Sequence, residues 1–220
     1  MATATGLRKG AHMGEMAFID GLLWYLETRE WAFKKLQSMS GDVQHFDLKM
    51  YHYLYLTNLL GAIDAVCDYV NSSDVVKNFE LSLGDNNYRY LREFRNAVVH
   101  RGLDPSYISL VDDNHRIFVL CPKEVYDRTR QKIYTCTFTY TIELAQFCND
   151  ASNKAIFDVL DRRGFFNEVD ISISEEEALD AGIRSVLTTS PAEWENVDME
   201  TLTAIAVKRR TVQLKAILNS

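Results

Sequence analysis

Three polar side chains of one short segment have the types and the spacing needed to act on a phosphodiester. Residues 91–102 read Leu-Arg-Glu-Phe-Arg-Asn-Ala-Val-Val-His-Arg-Gly and place Arg95, Asn96 and His100 close together in the chain. An imidazole titrates near neutral pH, so it can accept or donate a proton during a reaction. A guanidinium stays charged and offers a fork of donors that matches phosphate oxygens. With an amide to orient them, these groups could hold and cleave a phosphodiester without a metal ion.

An amphipathic helix is predicted to present these groups on one surface. Leu91, Phe94 and Val98 lie at positions i, i+3 and i+7, so we expect them to form the buried face of this helix. Arg92, Asn96 and His100 recur at four-residue intervals and therefore stack along a different face. Arg95 lies at the border of the buried stripe, and its long side chain can reach across a groove. Gly102 is a favourable residue just past a last helical turn, so we expect the helix to end there.

This segment resembles the motif of the HEPN superfamily, in which a His follows an Arg after four to six residues and a polar residue often stands directly after the Arg. The matching residues are Arg95-Asn96-Ala97-Val98-Val99-His100. An Arg and a His at such a spacing are expected about once by chance in a chain of this composition, so the specific signals are Asn96 and the helix end. In HEPN toxins that are paired with nucleotidyltransferase antitoxins, a modified Tyr commonly stands where this chain has Gly102. Regulation by that route is therefore not expected here.

The resemblance implies a fold and an activity. HEPN domains are helical bundles of about this size, and many are metal-independent ribonucleases in which two motifs meet across a dimer interface. It thus implies an endoribonuclease that leaves 2′,3′-cyclic phosphate ends, with Arg95, Asn96 and His100 as catalytic residues and neither a cofactor nor a metal ion. The implied partners are RNA, a second copy of the chain and an antitoxin or other regulator. The implied setting is a toxin–antitoxin or antiviral defence system.

The charge around the motif favours RNA although the whole protein is acidic. The formal net charge is −7, but residues 165–220 alone carry ten acidic and five basic side chains. Residues 86–102 contain one acidic residue, Glu93, and four arginines, Arg89, Arg92, Arg95 and Arg101. A locally positive field attracts phosphates. We therefore expect Arg89, Arg92 and Arg101 to contact RNA.

Two other interpretations of the motif stay open. The chain could be a non-catalytic HEPN-like module that binds nucleotides or a protein partner. Alternatively, the motif could be a chance match in an unrelated helical protein, where His100 only helps to end a helix. A cationic His near a helix C-terminus stabilises that helix by about 0.3–1 kcal/mol.

Three further groups of polar or aromatic residues are interpreted as structural. Asp112-Asp113-Asn114-His115 has metal-ligand chemistry, but a polar hairpin turn explains it better. His45 and His52 share one helix without a third ligand nearby, so no metal site is predicted. The tyrosines at positions 51, 53 and 55 could stack on bases, but core or dimer packing is the simpler interpretation.

Composition indicates a globular protein that needs no membrane. The chain has 220 residues with 47% hydrophobic and 25% charged side chains, which is enough to bury a core. No apolar run approaches the ~18–20 residues that span a bilayer, and the first residues lack the apolar stretch of a signal peptide. The four cysteines are scattered, which is typical of a reducing compartment. We expect a cytoplasmic location.

Hydrophobic periodicity predicts a mainly α protein. Helices are expected over residues 12–39, 45–71, 85–101, 142–163 and 198–218, with short helices near 75–83 and after Ser174. A β-hairpin is expected over 107–120, and the alternation of apolar residues with threonine over 134–141 predicts a strand. The predicted architecture is an HEPN-like helical bundle over 12–163, with a small antiparallel β insertion at about 106–141 before its last helix. An acidic helical C-terminal extension follows over 165–220.

Overall fold

The protein is mainly helical, as its periodicity predicts. The computed structural model describes residues 4–39, 45–105, 108–167 and 199–219, and it describes the backbone alone for 4–13, 45 and 199–201. The helices in this part of the chain are α1 (Ala4–Gln37), α2 (His45–Val70), α3 (Asp74–Leu83), α4 (Asp85–Arg101), α5 (Thr141–Arg162) and α6 (Met199–Leu218). The strands are β1 (Ser109–Val111), β2 (Ile117–Val119), β3 (Glu124–Asp127) and β4 (Lys132–Thr135).

The predicted helices are confirmed wherever the structure describes them. Helix α1 begins at Ala4, eight residues before the predicted start at 12, while α2 to α6 lie within about two residues of their predicted limits. The short helix expected after Ser174 lies outside the described residues. Of the helices that are described, none is long and apolar enough to cross a membrane.

The chain divides into two compact units. One unit comprises residues 24–159, and the other comprises residues 1–23 together with 160–220. The predicted bundle of 12–163 therefore includes parts of both units. In the second unit, the Arg210 guanidinium lies 3.3 Å from the Asp20 carboxylate, and the rings of Phe18 and Phe165 meet edge to face at 5.8 Å.

The first unit buries a cation in its core. Arg29 of α1 is 1% exposed, and its guanidinium donates to the Ser152 hydroxyl and to the Asn153 side-chain oxygen, both at 2.8 Å. Burial lowers the pKa of Arg29, because the charged form loses its hydration. Both acceptors lie on α5, so this side chain joins the first and last helices of the unit.

The predicted hairpin is confirmed, whereas the prediction of a strand over 134–141 is wrong for most of its length. Strands β1 and β2 pair antiparallel. Strand β4 ends at Thr135 and pairs with β3, which the sequence analysis missed. Beyond it, Tyr140 forms an isolated bridge with Leu120, and Thr141 already begins α5.

The alternation of apolar residues with threonine in this segment indicates which side chains are exposed and does not indicate strand pairing. Residues 134–140 do alternate between half-buried and exposed, as the pattern of apolar residues and threonine requires. Their backbone groups, however, bond to loop segments: the Cys121 N–H donates to the Thr139 carbonyl at 2.9 Å, and the Cys136 N–H donates to the Lys123 carbonyl at 3.2 Å. A two-residue period therefore arises here without a continuous ladder.

Candidate functional site

Helix α4 is held by packing on several sides, and this fixes which of its faces meets solvent. It contacts α2 and α3, and it also contacts the β3–β4 hairpin. The predicted stripe of Leu91, Phe94 and Val98 is buried, as expected. At its C-terminal end Gly102 adopts a left-handed conformation with φ of 70°, and the Leu103 N–H donates to the Ala97 carbonyl at 2.9 Å. Helix α4 therefore ends where the sequence predicts, one turn beyond Asn96.

Arg95, Asn96 and His100 come together on this helix. The Nη1 atom of Arg95 lies 3.2 Å from Asn96 Oδ1 and 3.3 Å from His100 Nε2. A guanidinium N–H can only donate, so both neighbours accept from it. His100 Nε2 is therefore the acceptor in its contact with Arg95. Arg95 and Asn96 are half-buried and His100 is exposed, so the imidazole is open to solvent on one side.

Glu93 orients the amide of this group. Asn96 Nδ2 donates to Glu93 Oε1 at 3.2 Å, which turns Asn96 Oδ1 toward Arg95. The same carboxylate lies 3.6 Å from Arg101 Nη2. Sequence reasoning treated Glu93 only as a charge. Its position three residues before Asn96, on the same side of a helix, was the available signal for this contact.

Arg101 is bound into the protein by several contacts. Its Nη1 donates to the Tyr126 carbonyl of β3 at 2.7 Å, and its Nη2 donates to the Glu93 carbonyl at 3.0 Å. Both terminal nitrogens of Arg101 thus bond to the protein itself, and the expectation that Arg101 contacts RNA stays a prediction. Its geometry joins the end of α4 to the β3–β4 hairpin.

The other two arginines predicted to bind RNA, Arg89 and Arg92, differ in how far nearby carboxylates neutralise their charge. Arg89 Nε lies 3.0 Å from the Asp85 carboxylate, and Arg89 Nη2 lies 3.8 Å from the Glu80 carboxylate. Arg92 is exposed, with its guanidinium 5.8 Å from the centre of the Tyr88 ring. Of the three side chains predicted to bind RNA, Arg92 is thus the one whose charge meets solvent most openly.

The hydrogen bonds of Arg95 within the described residues are with uncharged groups. Within the described parts of the chain it forms no ion pair with a carboxylate, and its Nε is buried without a hydrogen-bond partner. Asp64 of α2 lies near enough to interact with it. Burial raises the pKa of Asp64, while the charges of Arg92 and Arg95 act to lower it. Sequence reasoning missed Asp64, because it lies on another helix and nothing in its local pattern marks it.

Asp112 forms a hairpin turn, as its interpretation from the sequence required. Its carboxylate accepts from the backbone N–H groups of Asn114 and Arg116, at 3.0 and 2.9 Å, and pairs with the Arg116 guanidinium at 2.7 Å. The hydrogen bond from the Arg116 backbone N–H is the largest of the effects that lower the pKa of Asp112. Throughout the described ranges, no three His, Cys, Asp or Glu side chains are grouped so that they could hold a metal ion.

His52 and Tyr55 are structural residues of the core. His52 is buried, with Nδ1 2.7 Å from the Leu48 carbonyl and Nε2 3.0 Å from the Thr141 hydroxyl. Tyr55 is buried and donates to the Ala145 carbonyl at 2.7 Å. A cavity of about 260 Å³ adjoins His52 and is lined by residues of α1, α2, β2 and α5, but not by residues of α4. The side chain of His45 lies outside the described residues.

Comparison with known proteins finds no match among family models, curated proteins or solved structures. The functional interpretation therefore depends on the residues of α4 and their neighbours.

Proposed function

We propose that this chain is a metal-independent endoribonuclease of the HEPN type, whose active site forms when two copies bring their Arg95, Asn96 and His100 together. One observation supports this most directly: Arg95 Nη1 contacts both Asn96 Oδ1 and His100 Nε2, at 3.2 and 3.3 Å. A guanidinium that forms no direct ion pair within the described residues is thereby held beside an exposed imidazole. This is the combination that a phosphate next to a 2′-hydroxyl requires.

In the proposed mechanism the RNA supplies its own nucleophile. When RNA binds, its phosphate takes over the Arg95 N–H and frees His100 Nε2, which then takes the proton of the 2′-hydroxyl. The 2′-oxygen attacks the adjacent phosphorus. Arg95 stabilises the negative charge that builds on the non-bridging oxygens. The bond from phosphorus to the 5′-oxygen breaks, and the protonated His100 of the second copy gives its proton to that oxygen. The products are a 2′,3′-cyclic phosphate and a 5′-hydroxyl end.

The need for two copies follows from the number of imidazoles. Acid and base act on opposite sides of the phosphorus, whereas one chain provides a single His at this site. A two-fold axis brings identical groups from two protomers to one place. A homodimer with α4 at its interface therefore supplies both groups.

Within this proposal Glu93 and Arg101 are positioning residues. A chain of contacts runs from β3 to the imidazole. Arg101 donates to the Tyr126 carbonyl and pairs with the Glu93 carboxylate. Asn96 donates to Glu93, and Arg95 donates to both Asn96 and His100. The side chain that touches RNA beside the catalytic group is then Arg92, which is exposed.

A cleavage assay with matched variants tests the proposed activity. The wild-type protein is expected to cut single-stranded RNA in the presence of EDTA and to leave 2′,3′-cyclic phosphate ends. His100→Ala and Arg95→Ala should each abolish cleavage. Lys34→Ala, which removes an exposed charge of α1 that is paired with Glu30, should retain it. Undiminished cleavage by both His100→Ala and Arg95→Ala would refute the mechanism.

Mixing wild type with the inactive His100→Ala protein tests the composite site. After the subunits exchange, activity should fall with the square of the wild-type fraction, because a mixed dimer lacks either the acid or the base. A linear fall would show that one chain carries a complete site.

The biological setting that we propose is a toxin or defence effector, on the basis of the resemblance to HEPN proteins. Expression of the wild type should arrest growth and fragment total RNA, and expression of His100→Ala should do neither. Growth arrest by both proteins would separate toxicity from the proposed chemistry.

A second candidate function is a nucleotide-binding or interaction module without catalysis. Arg92 is exposed, and the hydrogen bonds of Arg95 within the described residues are with uncharged groups, so both guanidiniums could hold a phosphate without any proton transfer by His100. In that case RNA or nucleotides should bind without being cleaved, and Arg95→Ala should weaken the binding.

A further inference from the structure

The β3–β4 hairpin lies along α4, with its turn at the end of the helix that carries the imidazole of the candidate site. At the open end of the hairpin, the Asn86 side-chain amide donates to the Thr135 carbonyl at 2.7 Å. Near the turn, Arg101 donates to the Tyr126 carbonyl, also at 2.7 Å. Asn86 lies in the first turn of α4, and Arg101 is its last residue. Residues 128–131, which connect the two strands, therefore lie next to the last turn of α4.

The turn presents three cationic side chains to solvent. Arg128, Arg130 and Lys132, here called the turn cations, are all exposed. Asp127 is the acidic residue next to them in the chain, and it is buried. One oxygen of its carboxylate accepts from the backbone N–H groups of Thr129 and Arg130, at 2.9 and 3.0 Å. This carboxylate thus fixes the turn from inside, while the turn cations extend outward.

An exposed aromatic ring lies beside the turn cations. Tyr126 and Ile133 are partners in the register of the two strands, so their side chains share one face of the hairpin. That face meets solvent, with Tyr126 43% and Ile133 58% exposed. Val125, on the opposite face, is buried. The Tyr126 hydroxyl donates to the Gln131 side-chain oxygen, which holds the ring close to the turn.

The turn cations add to the positive charge that α4 itself exposes. Arg101 pairs with the Glu93 carboxylate at 3.6 Å, whereas Arg92 is exposed. A phosphate chain is attracted to cations that meet solvent and displaces salt ions when it binds them. Exposed cations next to the last turn of α4 are therefore placed to hold a nucleic acid whose scissile phosphate lies at His100.

We propose that the turn of the β3–β4 hairpin binds single-stranded RNA and leads the strand to Arg95 and His100. This inference rests on the proposed ribonuclease function and names the surface that holds its substrate. The turn cations contact phosphates, and the Tyr126 ring stacks on an unpaired base. Bases of a duplex are already stacked on each other, so an exposed ring beside cations favours a single strand.

Binding of a strand that cannot be cleaved tests this surface without requiring catalysis. A fluorescent single-stranded RNA with 2′-O-methyl groups lacks the nucleophile, so the wild-type protein can be titrated with it by anisotropy at several salt concentrations. The triple variant Arg128→Gln, Arg130→Gln and Lys132→Gln should bind at least about tenfold more weakly at 0.1 M salt. The slope of log K against log salt should become shallower by about 2, because each phosphate contact of a single strand contributes about 0.7.

A matched triple variant removes the same charge elsewhere. Lys34→Gln, Lys77→Gln and Lys154→Gln change exposed lysines of α1, α3 and α5 and should keep the affinity and the salt slope of the wild type. Tyr126→Leu should weaken binding at least about fivefold with an unchanged salt slope, and Tyr126→Phe should bind as the wild type does, because a ring is retained. All these positions are exposed, so circular dichroism should show the wild-type fold for each variant.

The outcomes separate this surface from the proposed chemistry. Wild-type affinity and salt slope in the variant without turn cations would overturn the inference and leave cleavage by His100 unaffected. Binding that depends on the turn cations, in a protein that cuts no RNA, would support the surface and refute the nuclease. Tighter binding of the wild type to phosphatidylserine vesicles than to RNA, lost with the turn cations, would also overturn the inference.

Discussion

Mild acid should destabilise the unit of residues 24–159 through His52. Nδ1 of this buried ring donates to the Leu48 carbonyl, so in the neutral ring Nε2 accepts from the Thr141 hydroxyl. Protonation of Nε2 removes that acceptor and places a charge in the core. Burial therefore lowers the pKa of His52 to about 4. The hydrogen bond to Leu48 acts in the opposite direction but does not offset burial.

The sign and size of the effect follow from linkage. The unfolded chain binds this proton near pH 6.5, whereas the folded chain binds it only near pH 4. The contribution of neutral His52 to the free energy of unfolding is thus fully present above pH 6.5 and is lost as the pH falls toward 4. The whole interval is worth about 3 kcal/mol, and about 2 kcal/mol of it is lost by pH 5. Most carboxylates are still ionised at pH 5, so this window isolates the histidine.

Urea unfolding at pH 7.5 and pH 5 measures the effect. The free energy of unfolding of the wild type should fall by about 2 kcal/mol more than that of His52→Gln, which cannot titrate. His115→Asn is the matched control, because His115 is exposed in the β1–β2 turn, and it should follow the wild type. An equal fall in the wild type and His52→Gln would refute the reasoning.

Two further predictions concern other contacts. Arg101→Gln should lower the kcat of RNA cleavage and leave its KM and its salt dependence nearly unchanged. Arg92→Gln should instead raise the KM and flatten the salt dependence. Steady-state kinetics at several salt concentrations distinguish the two outcomes. Arg29→Ala should lower the free energy of unfolding by about 3–5 kcal/mol, and Arg29→Met by less, in urea titrations, because the bonds to α5 are lost.

The core of the candidate site could be predicted from the sequence because it is local. Arg95, Asn96 and His100 lie on one helix, where spacing decides which side chains are neighbours. The glycine after Arg101 marked the end of that helix through its left-handed conformation. The contact between Glu93 and Asn96 could also have been predicted, since Glu93 precedes Asn96 by three residues on the same helix.

The rest of the site depends on contacts between distant segments. Asp64 approaches Arg95 from α2, and the Tyr126 carbonyl approaches Arg101 from β3. The carbonyl of Tyr126 is a backbone group that every residue type provides, so nothing in the sequence marks it. This contact joins Arg101 to the β3–β4 hairpin, whereas its contact with RNA stays a prediction.

The sequence by itself determined the helices and the Arg95–Asn96–His100 group, because periodicity, capping and spacing act over a few residues. The tertiary structure alone decided which arginines of α4 are neutralised and how β4 pairs with the unpredicted β3. Hydrogen bonds and ion pairs between segments depend on where packing brings the backbone. Amphipathic patterns record only which side of each element is buried, so they leave those partners open.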